Sequence, residues 1–129
     1  SMARDANRRG LPLRFCVAGF TRDDFPLFAT GKAFVSGRYR EEDAVDVIRE
    51  LDCHAALFLS VWPETYCYTL TEAWRAGLWA VGFDLGAVGE RIAATGFGWR
   101  MPPCRDGGTV NDRLLALCAA PPAPGSLVP

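Results

Sequence analysis

Two carboxylates, Glu64 and Glu72, stand eight positions apart in Glu64-Thr65-Tyr66-Cys67-Tyr68-Thr69-Leu70-Thr71-Glu72. The first falls in a loop after an apolar run. The second falls in the opening turn of the helix that follows. A loop-to-helix entry can bring both acids to one rim of a cleft. There they accept hydrogen bonds from neighbouring hydroxyls, as on a sugar or a ribose. Between them a helix N-terminus offers free backbone N–H groups to an anion such as a diphosphate. Spacing alone leaves other readings open. Thr69-Leu70-Thr71-Glu72 also fits a capping box, with Glu72 reaching back to the N-cap N–H. Glu64 also fits a solvated loop acid. His54, the single histidine, sits just before a strand and reads as a packed or surface residue.

The elements that must position these acids follow from hydrophobic patterning. Residues 3–10 form a polar, Arg-rich helix with a stop at Gly10. Residues 11–19 are an apolar run ending in glycine and read as a buried strand. Residues 20–32 are irregular. Residues 33–36 form a short strand, followed by Gly37-Arg38-Tyr39. Residues 41–51 carry an apolar helical stripe with acids in the first turn, where the helix dipole favours them. Residues 55–60 are the clearest buried strand. Residues 69–76 form a helix closed by Gly77, and residues 78–83 another buried strand. A short helix over 86–94, a last strand over 97–101 and a helix over 111–119 complete the chain. Continuously apolar strands alternating with helices predict an α/β fold: a Rossmann-like parallel sheet flanked by helices. Ligands in such sheets bind beyond the carboxyl ends of the strands. The loops to watch are therefore 37–39, 61–68 and 84–90.

Composition narrows the classes. The chain has 129 residues, half of them hydrophobic and 22% charged, which is an ordinary globular balance. Residues 1–120 read as one domain and 121–129 as a Pro-rich flexible tail. Fourteen Lys and Arg against 15 Asp and Glu give a net charge of -1, which excludes a dominant nucleic-acid footprint. The five cysteines (Cys16, Cys53, Cys67, Cys104 and Cys118) are odd in number, widely spaced and form no CxxC pair. They suggest neither a disulfide framework nor a zinc site, but scattered thiols in a reducing cytoplasm. No apolar stretch reaches the roughly 20 residues that span a bilayer.

The densest motif region is residues 60–73, running from Ser60-Val61-Trp62-Pro63-Glu64 to Glu72-Ala73. With Ala76-Gly77-Leu78, Phe83-Asp84-Leu85-Gly86-Ala87 and Glu90-Arg91-Ile92, it resembles the nucleotide-sugar-binding half of GT-B glycosyltransferases. The likeness is to the retaining family usually called GT4, with its E-x7-E signature. It runs from about Leu13 to Pro102. The resemblance implies that Glu72 holds the ribose hydroxyls of the nucleotide. It implies that Glu64 faces the donor sugar, as the catalytic candidate. Thr65, Tyr66 and Cys67 match the stretch whose backbone amides approach sugar and phosphates; Thr65 and Cys67 depart from the family's glycines. Gly37, Arg38 and Tyr39 lie where the family lines its base pocket, with Arg38 or Tyr39 stacking on the base, or else as ordinary loop surface. Gly86 and Ala87 match a second glycine turn near the donor.

The family's Gly-rich, basic loop ending in Lys-Gly has no counterpart here. Arg22 follows a strand, but the wrong one for that role. The resemblance thus implies the C-terminal half of a GT-B fold lacking its first strand, with the N-terminal acceptor domain missing too. A lost mid-sheet strand leaves edges unpaired. The expectation is that residues 13–18 pair with 55–59, or that the chain forms a homodimer through its exposed edges. The implied function is the donor-binding domain of a retaining glycosyltransferase in polysaccharide or glycoconjugate synthesis. It would use a nucleotide-diphosphate sugar, without a metal or other cofactor, and would be inactive alone. The rival is a non-catalytic glycosyltransferase-like interaction module. A sugar-nucleotide epimerase is a third reading, disfavoured by the E-x7-E context.

Overall fold

Local signals set the first helix. In the computed structural model, which describes residues 1–19, 26 and 29–129, Ser1 accepts the Arg4 N–H and opens α1 (Met2–Arg9). Gly10 closes it at φ 65°, a left-handed conformation that glycine adopts without a Cβ penalty. Next come β1 (Phe15–Val17) and β2 (Ala33–Val35). Arg22 and most of the irregular stretch expected over 20–32 lie outside the described residues. A 3-10 turn (Glu41–Asp43) leads into α2 (Ala44–Glu50). Then follow β3 (Ala55–Phe58), α3 (Tyr68–Arg75), β4 (Trp79–Phe83), α4 (Gly86–Thr95), β5 (Gly98–Met101) and α5 (Gly107–Ala119). Asp106 caps α5 by accepting the Thr109 N–H at 3.1 Å.

Among the described residues all pairings between strands are parallel, so this is an α/β chain of Rossmann-like character. The strands form two sheets, β1-β2 and β3-β4-β5. Central β4 explains why its sequence is apolar on both faces. Successive side chains point to opposite sides of a strand. Val81 and Phe83 join Met101, Val110, Leu114 and Leu117 beneath α5. Ala80 faces Leu70, Val88 and Ile92 from α3 and α4 on the other side. Helices thus cover both faces of the sheet, as parallel strands require.

A carboxylate ties α1 to α5. Asp5 accepts from Arg8 at 2.8 Å and from Asn111 Nδ2 at 3.0 Å, and it pairs with Arg9. The Arg9 guanidinium, with Asn111 and Arg8 after it, holds the Asp5 carboxyl far below the usual carboxylate range. Asn111 Nδ2 also donates to Met2 O at 2.9 Å, fixing the first turn of α1 on α5.

Within the Pro-rich tail expected over 121–129, residues 125–128 run along the outer edge of β5. Gly125 donates to Gly98 O and Val128 to Arg100 O, each at 2.6 Å, while Ser126 O accepts from Arg100 at 3.1 Å. Val128 is 2% exposed, so burial of one apolar side chain anchors a segment whose prolines suggest looseness. Of the two outcomes expected for the unpaired edges, the pairing of 13–18 with 55–59 is not formed: among the described residues β1 pairs with β2, and β3 with β4. The start of α1, bonded to α5 through Met2 O, lines a space bordered by β1 and β3. Among the described residues no helix is long and apolar enough to cross a membrane.

Candidate functional site

The loops after β3 and β4 leave the same end of a parallel sheet, and they meet there. Ala87 donates its N–H to Glu64 O at 2.8 Å. Gly86 makes this approach possible. It sits at φ 58°, and a Cβ there would lie 2.9 Å from Glu64 N, Glu64 O and Pro63 Cα. All three are backbone atoms, which cannot swing aside. Glycine is therefore required twice over, by its conformation and by contact.

Arg91, on α4, fastens the rest of the loop. Its Nη1 donates to Tyr66 O at 3.1 Å and to Cys67 O at 2.9 Å, and its Nη2 to Thr71 Oγ1 at 2.6 Å. The guanidinium also lies 4.4 Å from the centroid of the Tyr66 ring and 5.1 Å from that of Trp74. Tyr66 in turn packs on Tyr68, with ring centroids 4.8 Å apart. The outcome is a held loop with exposed aromatic edges: Trp62 is 77% exposed and Tyr68 74%.

Cys67 is the N-cap of α3, at φ 67° and ψ 82°, and makes no side-chain cap bond. This is a left-handed conformation, which glycine adopts more readily than a residue with a Cβ. With the cap at Cys67, Thr69 is the second helical residue and Glu72 the fifth, so the capping box does not form. Glu72 thus lies in the second turn, half-buried, rather than in the opening turn. A positive φ at Cys67 starts the helix earlier than the Thr-x-x-Glu pattern indicates. Burial pushes the Cys67 thiol pKa up, and the nearby Glu64 carboxylate adds to this, while Thr69 opposes it. Because Cys67 is held where a Cβ is disfavoured, Cys67→Gly is expected to stabilise the protein by ~1 kcal/mol. A rise in the urea midpoint at constant slope checks this; a fall would show that thiol packing outweighs the backbone conformation.

The other candidates are placed as follows. Glu64 and Thr65 are exposed, and Glu64 meets Gly86 and Ala87 through its backbone. Ala87 is buried and its N–H is engaged by Glu64 O. Gly37, Arg38 and Tyr39 line a separate cavity of about 300 Å³ against α2, with Phe34, Val47 and Glu50. Gly37 turns the chain there at φ 82°, bridged to Gly19. The lining of that cavity includes neither Glu64 nor Glu72. Near the held loop, at the carboxyl end of β4, Asp84 pairs with Arg100 at 3.2 Å.

Arg91 is the residue that sequence reasoning passes over. It falls within the matched segment Glu90-Arg91-Ile92, yet a lone arginine on a helix has the look of solvent-facing charge. Its partners lie up to 25 positions away, and no spacing announces them. The held loop offers the exposed Glu64, open aromatic faces and the N-terminus of α3 to a polar ligand with a flat ring, and Glu72 stands one turn further along α3. No protein-family model matches the chain, and comparison with curated proteins and with solved structures gives no match.

Proposed function

We propose that this chain is the donor-binding domain of a retaining GT-B glycosyltransferase that uses a nucleotide-diphosphate sugar. One observation carries the reading. The Glu64–Cys67 loop is seated on the Gly86-Ala87 turn and clamped by Arg91, while Glu72 stands on the next helix, uncommitted to capping. Glu72 would accept from the ribose hydroxyls, and Glu64 would face the sugar. α3 has no side-chain cap, so its first amides suit the diphosphate. The chemistry asked of the protein is positioning and stabilisation of the departing diphosphate. The chain alone would bind nucleotide weakly and transfer no sugar. Its setting would be polysaccharide or glycoconjugate synthesis in the cytoplasm, which suits five unbridged thiols.

Calorimetric titration with UDP and with GDP tests this. Glu72→Ala is expected to weaken the preferred nucleotide about tenfold, the loss of roughly one charged hydrogen bond. Equal affinity in both proteins would remove the ribose role from Glu72.

A further inference from the structure

Trp62 stands two residues before Glu64 and is 77% exposed. Its backbone is nonetheless held. The Trp62 N–H donates to Ser60 Oγ, and the Ser60 hydroxyl donates to Trp62 O, each at 3.2 Å. Pro63 follows, with its own φ fixed, and it disfavours helical backbone at Trp62. Beyond Pro63 the loop is seated at Glu64 on Ala87 and clamped by Arg91 at Tyr66 and Cys67. A ring kept in water on a loop so constrained forgoes the burial that aromatic side chains ordinarily gain. What the constraints achieve is an indole face presented beside a carboxylate.

That pair has a definite chemical complement. An indole face accepts a flat array of C–H groups, and carboxylate oxygens accept hydroxyl protons. A pyranose ring offers both, with C–H bonds on one face and hydroxyls around its rim. Chain order agrees. In the donor-binding reading Glu72 takes the ribose, and the N-terminus of α3, capped at Cys67, takes the diphosphate. Glu64 and Trp62 then lie past the diphosphate, where the donor carries its sugar. Residues 60–68 include no Lys or Arg. The Arg91 guanidinium is engaged by Tyr66 O, Cys67 O and Thr71 Oγ1. A carboxylate on the sugar would therefore meet Glu64 with no cation of the loop to offset the repulsion.

We propose that Trp62 and Glu64 form the sugar subsite, with the C–H face of an uncharged pyranose on the indole and its hydroxyls on the carboxylate, so that neutral hexoses are taken and uronic acids rejected. Trp62 is a specificity residue, and Glu64 discriminates by charge. This rests on the donor-binding reading and deepens it by naming the class of sugar.

The test titrates the full chain with UDP, UDP-glucose and UDP-glucuronate, and with GDP, GDP-mannose and GDP-mannuronate. Within each series the two sugars differ only at C6, hydroxymethyl against carboxylate. Indole N–H resonances are followed throughout, that of Trp62 being identified with Trp62→Phe. In the series of the preferred base, the neutral sugar nucleotide is expected to bind about fivefold tighter than the bare diphosphate and to move the Trp62 resonance. The uronate is expected to bind no tighter than the diphosphate. Trp62→Ala is expected to bring the neutral sugar nucleotide down to the affinity of the diphosphate, whose own binding stays unchanged. Trp62→Phe, which keeps a ring, is expected to retain part of the gain. A neutral sugar nucleotide bound equally by the wild type and by Trp62→Ala would overturn the proposal while leaving the donor reading in place. So would a uronate bound as tightly as its neutral counterpart. Should neither diphosphate bind, the donor reading falls, and methyl α-glucoside and methyl α-mannoside decide the subsite alone: a shifted Trp62 resonance upholds it, and an unmoved one overturns it.

Discussion

Gly86→Val is expected to unseat the Glu64 loop and to cost the fold about 3 kcal/mol. Two causes act together. Valine is β-branched and strongly disfavoured at φ 58°. Its Cβ would also press on backbone atoms of Pro63 and Glu64 from 2.9 Å. The strain is relieved only by moving the loop, which breaks the Ala87–Glu64 bond and carries the Glu64 carboxylate off its rim. Gly86→Ala meets the same contacts without the β-branch and is expected to cost less. Urea unfolding measures the stability loss, and nucleotide titration reads the site. A valine variant with an unchanged midpoint would mean that the loop does not rest on this glycine.

Arg91→Met is expected to loosen the same loop from the other side. Methionine keeps much of the apolar stem and deletes the guanidinium, with its bonds to Tyr66 O, Cys67 O and Thr71 Oγ1 and its stacking on Tyr66 and Trp74. The freed carbonyls reach water, so the expected loss is ~2 kcal/mol rather than the sum of the bonds. It should appear as faster hydrogen exchange over residues 66–71, with the amides of β4 little changed. Arg91→Lys is expected to fall close to Arg91→Met, because an ammonium cannot span two carbonyls and a hydroxyl while lying flat on a ring. Unaltered exchange in the methionine variant would show that Tyr66–Tyr68 packing holds the loop by itself.

The parallel strands and their helices are legible in the residues because β4, buried on both faces from Ala80 to Phe83, is a run without a polar side chain, and half-buried 55–58 beside it is apolar too. Gly10 is legible for a local reason: the turn it makes needs only its own backbone. The site is less legible, because its geometry is set across the chain. The Thr-x-x-Glu pattern points to a cap at Thr69. The path of the preceding loop is imposed by Gly86 and Arg91, and it places the cap at Cys67 instead. Gly37-Arg38-Tyr39 reads as a ligand loop from glycine, charge and ring together, yet the wall opposite it, from α2, is tertiary. The segment 121–129 reads as loose from its prolines. What orders it is pairing with Gly98 and Arg100 and a pocket for Val128, and neither is written in its own residues.

That segment has a bearing on assembly. Gly125, Ser126 and Val128 occupy the backbone groups of Gly98 and Arg100 on the outer side of β5, so that side of the strand is spent within the chain and is not offered to another sheet as a bare template.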